Sequence, residues 1–103
     1  MISQSIKNII PSLQKYMSAQ PILKAWLFGS CSRGEERSDS DLDILVDYDY
    51  SHGRVSLLTM GGILMDLSEI AGRKVDLVEY KGLMDFARPS VERDKILIYE
   101  RTI

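Results

Sequence analysis

Apolar residues at Ile2, Ile6, Ile9, Leu13 and Tyr16 recur every three or four positions, the period of one helix face. Pro11 lies inside that pattern, removes a backbone donor and crowds the turn before it, so a kink or a split into two helices is expected. From Ile22 to Phe28 nearly every residue is apolar, with Trp26 and Phe28 on one face and Leu27 on the other; this predicts a strand buried on both sides. Residues 29–40 are rich in Gly, Ser and charge and predict a loop, or a short helix and a loop. Leu42 to Val46 is a second strand, and Tyr48 to Arg54 a connecting loop. Val55 to Gly72 predicts a helix whose stripe is Leu57, Gly61, Leu64, Leu67 and Ala71, with Gly72 as the stop. Gly61-Gly62 costs about 1 kcal/mol per Gly relative to Ala, so either close packing on the sheet offsets the cost or the helix breaks there. Lys74 to Glu79 is a third strand, Leu83 to Asp94 a helix interrupted at Pro89, and Ile96 to Tyr99 a last short strand. The order α-β-β-α-β-α-β predicts an α/β (α+β) fold, a small mixed sheet with helices packed mainly on one face.

Composition bounds this picture. The chain of 103 residues, with 45% hydrophobic and 27% charged residues, suits one domain spanning 1–103 around one core and excludes disorder as the main state. The uncharged run from Val55 to Met65 is too short to span a bilayer, and the N-terminus lacks the layout of a secretory signal. One cysteine makes neither an intrachain disulfide nor a cysteine-based zinc site, so a cytoplasmic protein is expected. The net charge of −2 argues against direct duplex nucleic-acid binding. That total is unevenly spread: residues 1–28 carry three Lys and no acid, whereas residues 29–50 carry two Arg against seven acids. Acids this dense must be solvated or be given cations.

The acidic stretch contains a definite arrangement. Gly29-Ser30 ends a strand, and ten residues later Asp41-Leu42-Asp43 opens the next. Side chains two apart on a strand share a face, so Asp41 and Asp43 project together while Leu42 and Ile44 turn the other way. Two carboxylates side by side become favourable with a divalent cation between them, and Mg²⁺ typically takes one or two carboxylates plus substrate phosphates. Gly29 permits close backbone approach, and the following N–H groups with the Ser30 hydroxyl can cradle a phosphate, with Arg33 near enough in sequence to add charge. Two familiar motifs are excluded. Gly29 to Gly34 has a P-loop glycine spacing, but Glu35 and Glu36 stand where Lys and Ser/Thr are needed. Asp39, Asp41 and Asp43 match the start of an EF-hand loop, but Ile44 and Tyr50 occupy its Gly and Glu positions.

Each of these residues also has a plainer reading. A lone Asp-x-Asp is usually a solvated turn and a lone Gly-Ser a loop; together, at this spacing after an apolar strand, they point to phosphate and metal binding. Asp76 sits in an apolar strand, either facing solvent at a sheet edge or standing about 4.8 Å from the first two acids on a neighbouring strand as a third carboxylate. Asp39 is expected to cap or turn its loop, Asp47 and Asp49 to be solvated or loop-capping, Arg37 and His52 to lie on the surface. No His is near Ser30 or Cys31 in sequence, so neither resembles an activated nucleophile. Cys31 is expected to be a small spacer and, beside the site, a labelling handle. Met60, Met65 and Met84 sit in apolar helical patterns as core filler.

Gly29-Ser30, ten residues and Asp41-x-Asp43 resemble the signature of the nucleotidyltransferase superfamily that includes DNA polymerase beta. The short length and the segments LFGSCSRG, SDSDLDIL, GRKVDLVEY and ILIYER are similar to its minimal nucleotidyltransferase (MNT) domains, the antitoxin halves of HEPN–MNT pairs. The resemblance runs from about Ile22 to Arg101. It implies transfer of a nucleoside monophosphate, AMP from ATP, to an acceptor hydroxyl with release of pyrophosphate. It implies that Asp41, Asp43 and Asp76 bind two Mg²⁺ ions, that Asp76 helps deprotonate the acceptor, and that Gly29, Ser30 and Arg33 hold the nucleotide's phosphates. In related antitoxins the acceptor is a tyrosine of a HEPN ribonuclease. Larger relatives carry a second domain for their acceptor, so here a partner is expected to supply it, through Met84, Phe86 and Val91 or through the first helix. Two other readings stand beside this one: a module that neutralises its partner sterically, and a small-molecule nucleotidyltransferase working with a separate subunit. Homo-oligomers fit any of them.

Overall fold

The structure is a computed structural model and describes residues 2–35, 37 and 40–102. Asp39, expected to cap its loop, lies outside the described residues. Helix α1 (Gln4–Met17) is followed by β1 (Ile22–Leu27), a short helix α2 (Gly29–Arg33), β2 (Leu42–Tyr48), α3 (Leu57–Ala71), β3 (Val75–Glu79), a single 3₁₀ turn (Tyr80–Gly82), α4 (Arg88–Asp94) and β4 (Ile96–Glu100). The strands form one mixed sheet in the order β3-β2-β1-β4. β1 pairs antiparallel with β2 and β4, while β2 and β3 run parallel across the α3 connection.

Alternation along the strands sorts the side chains into two layers. Ala25 and Leu27 of β1 and Leu42, Ile44, Val46 and Tyr48 of β2 meet Ile6, Leu13 and Met17 of α1 and Ile63 and Leu67 of α3 in the main core. Trp26 and Leu45 point the other way and meet Val91 of α4, with Phe28, Val78, Tyr80 and Leu83 around them. The two long helices thus share one sheet face, as expected, and α4 covers part of the other. Among the described residues no helix is long and apolar enough to cross a membrane.

Several local expectations are corrected. α1 runs unbroken through Pro11. Pro11 is on the exposed side, where water can meet the carbonyl left without its helical donor, and Ser3 caps the first turn by accepting from the Ile6 N–H at 3.3 Å. α3 stops at the predicted Gly72, which adopts φ +68° past the last turn, but it starts at Leu57, two residues after the predicted Val55, where Ser56 accepts from the Thr59 N–H at 3.1 Å. Of its predicted stripe, Leu67 is buried and Leu64 and Ala71 pack against the core, but Leu57 and Gly61 face away. Ile63 and Leu67 are buried, with Met60, Leu64, Ile70 and Ala71 partly so, whereas Leu57, Leu58 and Met65 are 86%, 87% and 73% exposed. A helix apolar on both sides leaves its phase undetermined, and the sheet selects the side carrying Ile63 and Leu67. Gly61 and Gly62 face open space rather than the sheet, so close packing there does not offset their cost. Met84 is also exposed, leaving Met60 alone of the three methionines against the core. Finally, Pro89 lies in the first turn of α4 instead of interrupting a longer helix; there its missing N–H is an orphan in any case.

Candidate active site

The site is built where β1 ends and β2 begins. Phe28 is extended, and its N–H donates to the Asp43 carbonyl at 3.1 Å, tying the turn to β2. Gly29 then adopts φ +68° and opens α2, which ends at Gly34 with φ +73°. A Cβ on Gly29 would lie 2.3 Å from Asp43 Oδ2, so the carboxylate rests against bare backbone that only glycine provides. Ser32 Oγ donates to the Gly29 carbonyl at 2.8 Å and holds the turn. Ser30 is partly exposed, and its carbonyl accepts from the N–H groups of Gly34 and Glu35. Cys31 is fully buried and its Sγ donates to the Asp41 carbonyl at 3.4 Å; it packs the turn as a spacer and is not an accessible labelling handle.

The parallel register of β2 and β3 makes Asp43 and Asp76 direct Cα partners. Asp41 shares the face of Asp43, two residues upstream, with Lys74 Nζ 3.8 Å from its Oδ2. Both readings of Asp76 therefore hold together: it is exposed on the edge strand and it stands beside Asp43. Burial pushes the Asp43 carboxyl above its ordinary range, the charges of Asp76 and Asp41 push the same way, and Arg33 opposes them. Among the described residues no three Asp, Glu, His or Cys groups are gathered closely enough to enclose a metal ion. Like charges on adjacent strands repel. The donor set is all oxygen, on one face, against a glycine turn, which suits Mg²⁺.

Arg33 is at the same corner but is already engaged. Its Nε meets Glu35 Oε1 at 2.6 Å and its Nη1 meets Asp94 Oδ2 at 2.9 Å. The Asp94 pair ties α2 to the end of α4. Between the two helices lies a cavity of about 300 Å³ lined by Phe28, Gly29, Arg33, Ser90, Val91 and Arg93. The next residue, Lys95, rests its ammonium over the Trp26 and Tyr80 rings at 5.0 and 4.8 Å, which anchors this end of α4 to the sheet. Ser90, Arg93 and Asp94 escape a reading of the sequence because nothing in their own segment places α4 beside α2.

The remaining acids separate. Asp49 is buried and caps its loop: Oδ1 accepts from the Ser51 N–H at 2.9 Å and from its hydroxyl, and Arg101 Nη1 meets Oδ2 at 3.3 Å. It is not solvated. Nor is Asp47 Oδ1, which is buried with Lys81 Nζ 4.0 Å away. Arg37 and His52 are on the surface, as expected.

A family model, Polymerase beta, Nucleotidyltransferase, matches residues 7–103. The chain belongs to this family. Its fold and its activity as a nucleotidyltransferase follow. Protein adenylyltransferase MntA of Thermococcus cleftensis is 30% identical over 96 residues, covering 92% of this chain and 94% of the relative. The solved structure of a candidate minimal nucleotidyltransferase superposes with a TM-score of 0.77 at 31% identity, covering 93% of this chain and 95% of the other. A complex of a tri-AMPylated Shewanella oneidensis HEPN toxin with its MNT antitoxin matches in fold, with a TM-score of 0.61 at 19% identity over 92% of this chain and 70% of that one. In this nucleotidyltransferase the glycine turn and the three acids form the candidate catalytic corner.

Proposed function

We propose that the protein is an Mg²⁺-dependent adenylyltransferase that moves AMP from ATP to a hydroxyl of a HEPN-type partner, acting as the antitoxin of a toxin–antitoxin pair. The observation that carries this reading is the parallel register that pairs Asp43 with Asp76 one step from Asp41, against the Gly29 turn. The name of the MntA relative and the AMPylated toxin in the neighbouring complex support the choice of AMP and of a HEPN acceptor.

In this reading Asp41, Asp43 and Asp76 hold two Mg²⁺ ions, which supply Lewis-acid charge at the phosphate oxygens. Gly29 and Ser30 cradle the β- and γ-phosphates at the opening of α2. Arg33, held by Glu35 and Asp94, adds positive charge beside them. Asp76, exposed on β3, takes the proton of the acceptor hydroxyl. The freed oxygen bonds to the α-phosphorus as the bond to the β-phosphate oxygen breaks, and pyrophosphate leaves. One domain carries this half of the reaction, and the partner brings the acceptor. Exposed Met84 and Phe86 suit the contact; Val91, buried against Trp26 and Leu45, does not.

The test is label transfer. The protein is mixed with Mg²⁺, α-labelled ATP and a candidate HEPN-type partner protein, with Asp41→Ala/Asp43→Ala as control. Label on the partner with the wild type, and none with the control, supports the reading. No label, with a tight complex that the control variant still forms, replaces it with steric neutralisation.

A further inference from the structure

α3 is apolar on the side that faces away from the protein as well as on the side that faces the core. By helical period Leu58, Gly61, Gly62, Met65 and Glu69 share one face, opposite Ile63 and Leu67. Surface helices normally carry charge there, and a helix apolar all round is normally covered. Residues 55–65 contain no charge, the flanking leucine and methionine are almost fully exposed, and nothing lies within 4 Å of where either glycine would carry a Cβ.

We infer that this face pairs with the same face of a second copy of the chain, as a two-fold antiparallel helix pair centred between Gly61 and Gly62. The order of residues favours a copy over another occupant. An isologous contact must be self-complementary. About that centre, Gly61 of one copy faces Gly62 of the other, letting the two backbones approach closely. One turn out on each side, Leu58 faces Met65. Further out, Glu69 near the end of one helix comes to the end where the other helix begins, and Arg54 in the segment leading into it supplies the opposite charge. Neither Arg54 nor Glu69 has an ion-pair partner among the described residues. Asp66, at the edge of the stripe, is already held by the Tyr16 hydroxyl at 2.6 Å. α3 lies across the sheet from Asp41, Asp43 and Asp76, so pairing leaves both catalytic corners open.

The experiment is sedimentation velocity on the full chain over a range of about 1–100 μM, where a modest helix-pair interface is populated. A dimer is expected, and Leu58→Glu/Met65→Glu weakens it about tenfold or more, with circular dichroism unchanged because both positions are exposed. Arg54→Glu also weakens it, and adding Glu69→Arg restores it. Register is read with a short thiol cross-linker, Cys31 being buried and silent. A mixture of Leu58→Cys and Met65→Cys chains cross-links, and neither variant cross-links with itself. A chain monomeric at every concentration overturns the pairing, as does a dimer indifferent to the glutamates or one that joins position 58 to position 58. A monomer that loses a co-purifying helical partner on the same substitutions assigns the face to that partner instead.

Discussion

Two aspartates near the two ends of β2 are treated in opposite ways. Asp49, just past the strand, is buried yet complete: Ser51 gives it two donors and Arg101 a cation, and these hold its carboxyl below the ordinary range despite burial. Asp43, within the strand, is half-buried beside Asp41 and Asp76, and burial together with those two charges pushes its carboxyl up. A chain selected for stability alone would make every such acid like Asp49. An acid left short of positive charge on a rigid strand is a place where a cation and a phosphate are expected to complete the set.

The largest effect should follow from neutralising the incomplete acid. Asp43→Asn should reduce label transfer by about 1000-fold or more, roughly 4 kcal/mol of transition-state stabilisation. The same substitution should raise the melting temperature or leave it unchanged, because it removes like-charge repulsion and the burial of a charge. Added Mg²⁺ should raise the wild-type melting temperature and not that of the variant. A variant that loses both activity and stability would make Asp43 a second Asp49.

Gly29→Ala comes next. The new methyl meets Asp43 Oδ2 at 2.3 Å and the backbone sits at φ +68°, so a loss of about 1–3 kcal/mol is expected in urea unfolding, with transfer lost as the carboxylate is displaced. Combining it with Asp43→Ala separates the causes. The steric part should vanish and the backbone part remain, giving a non-additive cycle. Full additivity would show that the turn and the acid do not touch.

The acid pair, the glycine turn and the succession of strands along the chain were readable because each is local. Residues two apart on a strand share a face whatever surrounds them, and an apolar strand ending in Gly-Ser announces a turn. Asp76 was readable as a possibility, but only the parallel register of β2 and β3 decides its neighbour. The inward side of α3 was readable only in part: Leu64, Leu67 and Ala71 of its stripe meet the core, but Leu57, Leu58 and Met65 are as apolar as Ile63 and only the sheet distinguishes them. The engagement of Arg33 by Asp94 was hidden for a similar reason, the two being 61 residues apart and joined through α4. Asp49 looked like another loop acid because its cation, Arg101, arrives from the far end of the chain.

A smaller effect is expected at the complete acid. Asp49→Asn should lower the melting temperature by a few degrees, since it weakens the acceptor for Ser51 and removes the charge opposite Arg101. Transfer at a temperature well below melting should be unchanged, because this loop is at the other end of β2 from the acid set.

The smallest and sharpest effect is in how these differences vary with pH. In the folded protein Asp43 titrates above its ordinary value of 3.8, so its ionisation weakens the fold, a penalty complete above the folded value and absent below 3.8. The advantage of Asp43→Asn over wild type should therefore be greatest at neutral pH and should close before pH 3.8 is reached. Asp49 titrates below 3.8 when folded, so its ionisation strengthens the fold, a gain complete above 3.8 and lost as the pH falls through the folded value. The deficit of Asp49→Asn should persist to pH 3.8 and close only below it. Melting temperatures of the three proteins, followed from neutral pH into the acid range, should show two differences of opposite sign collapsing on opposite sides of 3.8. If both collapse on the same side, the two acids share one environment, and the case for a cation at Asp43 loses its electrostatic support.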